Sequence, residues 1–138
     1  MDPPLSAAAA VPVAEFRAAL RGFMRTSERN SRAAGLTPQR YLLLLMIKGA
    51  PDGSEQSTVT ELSERMQLAQ STVTELVRRA ESAGLIEREQ SQRDARVAHL
   101  RLTEEGERRL TRSFTELATE RAQLREAFAN LDGGVTGS

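Results

Sequence analysis

One helical segment begins with small hydrogen-bonding side chains and continues with basic ones a turn later. In order, these are Gln70, Ser71, Thr72, Thr74, Arg78 and Arg79. A Gln side chain can form two hydrogen bonds with adenine, Ser and Thr accept several bases, and the Arg fork suits phosphate or guanine. This order is typical of a helix that reads base edges with its first turn and holds phosphates nearby. The alternative is an ordinary solvated helix whose first residues serve only as caps.

A second basic group lies in a polar turn between two strand-like segments. It consists of Arg93 and Arg96, with Asp94 between them. A guanidinium group is favoured in a narrow minor groove because the negative potential is enhanced there. We also expect Asp94 and Arg96 to form an ion pair within the turn. The alternative for both arginines is a surface ion pair worth about 0–1 kcal/mol.

Other kinds of site chemistry have little support in the sequence. The chain has no cysteine and one histidine, His99, so thiol chemistry and multi-histidine metal sites are excluded. No catalytic constellation or glycine-rich phosphate loop occurs. We therefore expect no enzyme activity, no metal and no cofactor. We interpret His99 as a strand-surface residue, with a ligand contact or pH sensing as the alternative.

The overall charge does not favour nucleic acid. Nineteen basic residues balance nineteen acidic ones, whereas dedicated nucleic-acid binders are often basic. The distribution of charge matters more than its sum. One clustered example is a row of arginines spaced four apart in the first helical segment: Arg17, Arg21, Arg25 and Arg29. We interpret this row as a solvated face, with attraction to DNA flanks or an acidic effector as the alternative.

Hydrophobic periodicity predicts two helices in the first third of the chain. Residues 1–12 are rich in Ala and Pro, and we expect them to be disordered. A first helix is predicted from about Val13 to Ser31. A second helix begins at Thr37-Pro38, because Thr is a good N-cap and Pro suits the first helical position. It is apolar on nearly every side and should be central and buried.

A hexapeptide that occurs twice predicts two short helices joined by a tight turn. Residues 57–62 and 71–76 share the sequence Ser-Thr-Val-Thr-Glu-Leu. In the first copy, Thr58 and Glu61 form a capping box. The second helix should begin at Ala69 or Gln70 and run to about Ala83.

A β-hairpin is predicted directly after these helices. Residues 85–89 and 95–102 have strand-like patterns on either side of a polar turn. A hairpin after a helix-turn-helix is a wing. The expected fold class is therefore mainly α (α+β), a winged helix-turn-helix with long N- and C-terminal helices.

A final long helix, capped by Thr103, carries apolar residues in steps of three and four. This seam consists of Leu110, Phe114, Leu117, Arg121, Leu124, Phe128 and Leu131. A 3.5-residue period indicates packing of one helix on another, and we assign it to a dimer. Arg121 interrupts the seam, so its charge must reach solvent, form an ion pair across the dimer, or hold a ligand carboxylate.

Five segments in this order and spacing resemble the MarR family of multiple-antibiotic-resistance regulators. They are residues 36–41, 58–66, 71–77 with 84–88, 94–96 (Asp-x-Arg) and 102–106. Two positions depart from the family pattern. Ala69 lies where a Ser or Thr N-cap is usual, and this costs roughly 1 kcal/mol of capping. Glu75 lies where a basic or small residue is common, and its carboxylate would repel phosphate or read a cytosine amino group.

The resemblance implies a bacterial regulator that binds double-stranded DNA as a homodimer. We expect it in the cytoplasm, because the sequence shows no signal-peptide pattern and no apolar run of roughly 20 residues. Its residues 13–50 and 103–132 would form the dimerisation region, 54–102 the DNA-binding lobe, and 133–138 a flexible tail. It would repress transcription from a palindromic operator and be released by a small phenolic or carboxylate effector. We expect that effector near Phe16, Leu20, Arg40 and Tyr41. No membrane partner is expected. The rival is a dimeric protein-interaction module whose winged domain no longer binds DNA.

Overall fold

The structure is a computed structural model that describes residues 2–136, with side chains described as far as Leu131. Its helices are α1 (Ala7–Ala33), α2 (Pro38–Lys48), α3 (Val59–Met66), α4 (Gln70–Ser82), α5 (Glu104–Thr115) and α6 (Ala118–Thr136). Its strands are β1 (Ile86–Gln90) and β2 (Ala98–Leu102). The chain divides into two compact units, of which one spans residues 31–113 and the other joins the preceding and following residues. The predicted winged helix-turn-helix fold, mainly helical with one small sheet, is confirmed.

Helix α2 forms the centre of the unit spanning residues 31–113. Its start follows the sequence expectation, because the Thr37 Oγ1 accepts a hydrogen bond from the Arg40 amide at 3.1 Å and Pro38 occupies the first turn. Leu43, Leu44 and Ile47 are fully buried. The long apolar run therefore supplies the surface on which α3, α4 and β2 pack.

Local capping signals position α3 and α4. The Thr58 amide donates to the Glu61 carboxylate at 2.9 Å, and the Glu61 amide donates to the Thr58 hydroxyl at 3.2 Å. The predicted capping box is thus confirmed. Helix α3 ends at Gln67, which adopts the left-handed conformation with φ 55°. Helix α4 follows Ala69, whose side chain makes no capping hydrogen bond.

The wing is an antiparallel hairpin in which Ile86 lies opposite Leu102 and Gln90 lies opposite Ala98. Its second strand begins at Ala98, later than the predicted start at residue 95, because the backbone turns between Asp94 and Val97. Leu100 is fully buried and exchanges two backbone hydrogen bonds with Ser57, at 3.1 and 2.8 Å. The base of the wing is therefore joined to the segment that leads into α3.

The start of α5 lies directly against the turn that follows α4. The Thr103 hydroxyl donates to the Gly84 carbonyl at 2.6 Å, and the Thr103 amide donates to the Leu85 carbonyl at 3.0 Å. A Cβ atom added at Gly106 would lie 2.1 Å from the Leu85 carbonyl oxygen. Glycine is required at position 106 because no side chain fits between these two backbone segments.

The N-terminal helix begins earlier than the sequence indicated. Helix α1 starts at Ala7, so the expectation of disorder over residues 1–12 is corrected for residues 7–12. The Ser6 hydroxyl caps the helix by accepting a hydrogen bond from the Ala9 amide at 3.1 Å. Four consecutive alanines then follow, and Ala has the highest helix propensity of all residues.

The C-terminal helix is interrupted, whereas the sequence indicated one continuous helix. Helix α5 ends at Thr115, and α6 begins at Ala118 after a turn at Glu116 and Leu117. The Leu117 side chain is fully buried, while Phe114 and Phe128 are 43% and 59% exposed. The predicted seam is therefore not one continuous stripe. The helical backbone of α6 extends to Thr136, past the tail start expected at residue 133, and residues 137–138 lie outside the described chain.

Candidate nucleic-acid interface

Helix α4 has one buried face and one polar face. Val73, Val77 and Ala80 are fully buried against the rest of their unit. The predicted base-reading residues of the first turn are all exposed: Gln70, Ser71, Thr72 and Thr74. Helical periodicity explains the separation, because residues three or four apart share a face. The first turn therefore offers hydrogen-bonding groups that the fold itself does not need for its core.

Arg78 and Arg79 lie one turn further along α4, and both contact Glu75. Arg78 forms two hydrogen bonds with the Glu75 carboxylate, from Nε at 3.0 Å and from Nη2 at 2.5 Å. Arg79 donates its Nε to the same carboxylate at 3.1 Å. The Arg78 contact, followed by the Arg79 contact, lowers the pKa of Glu75 from 4.5 to about 2. Glu75 is thus the shared partner of two predicted DNA-binding arginines.

Sequence reasoning missed this cluster, although the signal was present. Glu75, Arg78 and Arg79 are three and four residues apart, which is the spacing at which side chains meet on a helix. The sequence alone suggests that Glu75 acts as a separate charge that repels phosphate or reads a cytosine amino group. In the structure its charge is already engaged by neighbouring guanidinium groups.

The wing turn holds the expected pair of Asp94 and Arg96. The Arg96 amide and Nε donate to Asp94 Oδ1 at 3.0 and 3.2 Å, and these contacts lower the pKa of the Asp94 carboxyl. The Arg96 side chain nevertheless remains 91% exposed. Arg93 is also exposed, and its amide donates to the Ser91 hydroxyl at 3.2 Å. Asp94 therefore orients Arg96 without removing it from solvent.

A shallow groove connects the wing with the beginning of α3. Its lining includes Thr58 and Thr60 from the α3 end and Arg88, Arg96 and Val97 from the wing. Thr60 and Arg88 are not among the site residues that the sequence predicts. Thr60 could have been found from its place in the first turn of α3, at the positive end of the helix dipole. The groove thus combines a helix N-terminus with two guanidinium groups.

The first turn of α4 borders a second groove, shared with α2. Gln39 of α2 lies there beside Ser71, Thr72, Glu75 and Arg79. On the opposite side, Gln70 Nε2 lies 3.4 Å from the Thr60 hydroxyl of α3. The polar turn of α4 is therefore flanked by amide and hydroxyl groups of both neighbouring helices.

The four residues expected to form an effector pocket are described in two separate units. Phe16 and Leu20 belong to α1, and the Phe16 ring meets the Phe128 ring edge-on at a centroid distance of 5.9 Å. Arg40 and Tyr41 belong to the other unit, where Tyr41 is buried. The pocket that would combine all four remains a prediction.

Arg121 makes its contacts with its own chain. Its guanidinium group lies over the Phe114 ring at 3.7 Å and its Nη1 donates to the Phe114 carbonyl at 2.6 Å. That carbonyl is at the end of α5, where backbone acceptors lack helical partners. The interrupted helix thus gives Arg121 a capping position.

The remaining candidates are His99 and the arginine row of α1. His99 is half-buried on β2, paired in register with Glu89. Arg17, Arg21 and Arg25 border a shallow groove on α1 together with Leu20 and Met24.

Within residues 2–131, no group of three His, Cys, Asp or Glu side chains is arranged to hold a metal ion. No helix in the described part of the chain is long and apolar enough to cross a bilayer.

Comparison with known proteins identifies the fold. The MarR family model matches residues 34–97. Sco3205 from Streptomyces coelicolor, solved in complex with DNA, has 24% identity and a TM-score of 0.63, over 94% of this chain and 79% of its own. AbsC, also from Streptomyces coelicolor, has 21% identity and a TM-score of 0.65, over 94% and 84%.

A mutant MarR from E. coli, complexed with operator DNA, has 19% identity and a TM-score of 0.65, over 83% of this chain and 78% of its own. These structural similarities concern the fold. No curated protein matches the sequence. The family match covers α2, α3, α4, β1 and the wing turn, and the whole-chain fold agrees with it. Residues 34–97 are thus similar to the MarR family, and the chain has the winged helix-turn-helix fold of solved MarR-family regulators.

Proposed function

We propose that this regulator binds a palindromic operator as a homodimer in the bacterial cytoplasm and represses the genes that the operator controls. In this proposal α4 enters the major groove, and its first turn, from Gln70 to Thr74, contacts base edges. Arg78 and Arg79 hold phosphates. Arg93 and Arg96 of the wing contact the adjacent minor groove or backbone.

The observation that carries the proposal is the exposed polar turn of α4 beside a wing whose arginines remain in solvent. All eight residues proposed to contact DNA are exposed, although the helix that bears six of them is anchored by fully buried Val73, Val77 and Ala80. A rigid helix with reading groups on one face is what insertion into a groove requires. The DNA complexes of Sco3205 and the E. coli MarR mutant add support from two relatives in fold.

The homodimer is supported by apolar side chains that remain exposed in the unit formed by the chain ends. Val13, Met24 and Phe128 are each more than half exposed there, and Phe114 is 43% exposed. Large apolar side chains gathered at a surface are typical of an interface. In the proposed dimer, the two α4 helices lie about 34–36 Å apart, one turn of DNA.

Titration of a labelled duplex at several salt concentrations tests DNA binding. The sequence of the duplex comes from genomic footprinting. The adjacent genes are the first place to look, because regulators of this type often control them. A protein that neutralises phosphates should lose affinity steeply as salt rises, because counterions are released on binding. The variant Arg96→Ala should bind more weakly, and its log–log salt slope should be shallower by about 1 for each phosphate that it no longer neutralises.

The rival function is a dimeric protein-interaction module that has lost DNA binding. Its support is the balanced net charge and the engagement of Arg78 and Arg79 by Glu75. Undetectable or salt-insensitive duplex binding, together with specific recovery of a protein partner, would favour the rival. Tight and salt-dependent binding excludes it.

We further propose that a small phenolic or carboxylate effector releases the protein from DNA. It would bind near Phe16, Leu20, Arg40 and Tyr41 and favour a conformation that misfits the operator. Arg40 suits an anionic group because its guanidinium forms charge-assisted hydrogen bonds. Adding salicylate as a probe should lower duplex affinity of the natural protein, and Arg40→Ala should reduce that response.

A further inference from the structure

The winged lobe, residues 54–102, is unusual for a DNA-binding surface because its own carboxylates offset its arginines. It contains seven arginines and eight Asp or Glu residues. Five of the arginines form ion pairs with carboxylates of the same lobe: Arg78, Arg79, Arg88, Arg96 and Arg101. Any phosphate that approaches these guanidinium groups therefore meets a site where an anion is already present.

The pairing at Glu75 differs from the other pairs because a single carboxylate engages two arginines. Three hydrogen bonds, two from Arg78 and one from Arg79, converge on its two oxygens at 2.5–3.1 Å. The other groups that share its groove are the uncharged Gln39, Ser71 and Thr72 with Leu76. The cluster of three side chains thus presents a net charge of one instead of two.

We propose that Glu75 is a positioning residue that occupies the phosphate-binding groups of Arg78 and Arg79 and so limits the sequence-independent affinity of the lobe for duplex DNA. This inference rests on the proposed DNA-binding function. It replaces the two roles suggested by the sequence alone, simple repulsion of phosphate and reading of a cytosine amino group.

The physical reason is that a carboxylate and a phosphate bind the same donors of a guanidinium group. Both anions accept parallel N–H bonds from the guanidinium fork. Arg78 presents its Nε and Nη2 edge to Glu75, so a phosphate that needs this edge must displace the carboxylate. The displacement is needed on every duplex, whatever its sequence. Complexes that also form base contacts through the first turn of α4 gain additional binding free energy, which offsets the cost of displacing the Glu75 carboxylate.

The lowered pKa of Glu75, about 2, agrees with this geometry. The carboxylate remains ionised throughout the pH range in which DNA binding is measured. Protonation therefore does not relieve the competition under these conditions, and substitution is the direct way to remove it.

The test measures binding of the full-length protein to a random-sequence duplex of about 30 base pairs, by fluorescence anisotropy at several salt concentrations. Glu75→Gln keeps the size of the side chain and removes its charge. We expect it to bind this duplex more tightly at low salt than the natural protein. If each protomer neutralises one more phosphate, the slope of log K against log salt steepens by about 2, at roughly 0.9 per phosphate. The advantage of the variant should then shrink about tenfold between about 50 and 200 mM salt.

Two further variants separate positioning from a general charge effect. Glu64→Gln removes the same charge from an exposed residue of α3 and should change the slope far less. In an Arg78→Gln, Arg79→Gln background, Glu75→Gln should have almost no effect, because its partners are absent. Circular dichroism melting confirms that each variant is folded.

The outcomes distinguish this inference from the proposed function. If the natural protein binds duplex but Glu75→Gln binds equally or more weakly, the inference is wrong and the proposed function stands. The inference is also overturned if Glu75→Gln steepens the slope equally in the Arg78→Gln, Arg79→Gln background. If neither the natural protein nor Glu75→Gln binds duplex at any salt concentration, both are overturned.

Discussion

In the described part of the chain, Arg65, Arg109 and Arg121 donate to backbone carbonyls at or just after the ends of helices. Arg65 donates to the carbonyls of Met46 and Gly49 at 2.9 and 3.2 Å, at the end of α2. Arg109 donates to the Gly35 carbonyl after α1 at 3.2 Å, and Arg121 donates to the end of α5. The last carbonyls of a helix lack intrahelical partners, and a positive charge there also interacts favourably with the helix dipole. A part of the large arginine content is therefore structural.

Replacing one of these capping arginines should lower stability without touching the core. For Arg65→Ala we expect a loss of about 1 kcal/mol, because two carbonyls would return to solvent and the site is exposed. Urea denaturation followed by circular dichroism measures the change. Arg93→Ala, at an exposed wing position, is the control and should be neutral. Equal midpoints for the two variants would contradict the capping role.

The Glu75 cluster gives a second residue-scale prediction, on acid stability. The pKa of Glu75 in the folded protein lies below its usual 4.5, at about 2. A lowered folded-state pKa means that the ion pairs stabilise the fold above pH 4.5 and that this contribution is lost as pH falls towards 2. Glu75→Gln should therefore weaken the dependence of stability on pH in this range. Titration of the Glu75 carboxyl carbon by NMR measures the pKa directly, and a value near 4.5 would contradict the observed contacts.

At the scale of elements, helix starts marked by a capping threonine were the most predictable features. Thr37 and Thr58 cap their helices as expected, because a cap depends on a few adjacent residues and little else. The interruption at Glu116 and Leu117 was not predictable from the sequence pattern. Leu117 has the spacing expected of the apolar seam and is also buried in the turn, so its position in the sequence does not reveal the interruption. The capping contact between Arg121 and Phe114 forms only after the chain bends.

The candidate nucleic-acid interface was likewise predictable where it depends on local sequence and not where it depends on contacts between elements. The polar face of α4 follows from helical periodicity, so Gln70 and Thr74 could be placed at the surface from sequence alone. The grouping of Thr60 with Arg88 and Arg96 depends on contacts between separate elements, and no local pattern contains that information. The Glu75 cluster lies between these two cases. The spacing of Glu75, Arg78 and Arg79 can be read from the sequence, but the hydrogen bonds that they form cannot.

The uncapped start of α4 offers an element-scale prediction. Ala69 has an extended backbone but no side-chain oxygen to accept a hydrogen bond from the first turn. Ala69→Ser should supply that acceptor and raise the free energy of unfolding by roughly 1 kcal/mol. Chemical denaturation measures the increase. Ala83→Ser, at the other end of the same helix, is the matched control and should not be stabilising.

Glycine substitutions at two helical positions should have opposite effects. Gly106→Ala would place a Cβ 2.1 Å from the Leu85 carbonyl oxygen, so the backbone must shift at a cost of about 1–3 kcal/mol or more. Gly22→Ala has no atom within 4 Å of its new Cβ and should stabilise α1 by about 0.5–1 kcal/mol. Thermal melting of both variants tests the contrast. A neutral Gly106→Ala would show that the two segments separate easily.

At the scale of the whole molecule, the main question is the oligomeric state. Val13, Met24, Phe114 and Phe128 expose large apolar side chains near the chain ends, and a dimer would bury them. We expect Phe128→Glu to weaken a dimer at least tenfold, because a charge would be buried in an apolar interface. Analytical ultracentrifugation across a concentration series measures this. Leu5→Glu, which changes an exposed residue before α1, should leave the dimer unchanged. A natural protein that sediments as a monomer would contradict the dimer itself.

The tight junction between Gly106 and Leu85 also has a mechanical meaning. The turn that follows α4 and the beginning of α5 are separated by no side chain and are joined through Thr103, which donates to both Gly84 and Leu85. Sliding α5 past this turn would break these contacts, so the junction couples α5 to α4. A force applied to α5 is transmitted to α4 as a tilt, and its exposed first turn, at the far end, is displaced most. A small molecule could therefore misalign the DNA-reading groups without ever approaching them.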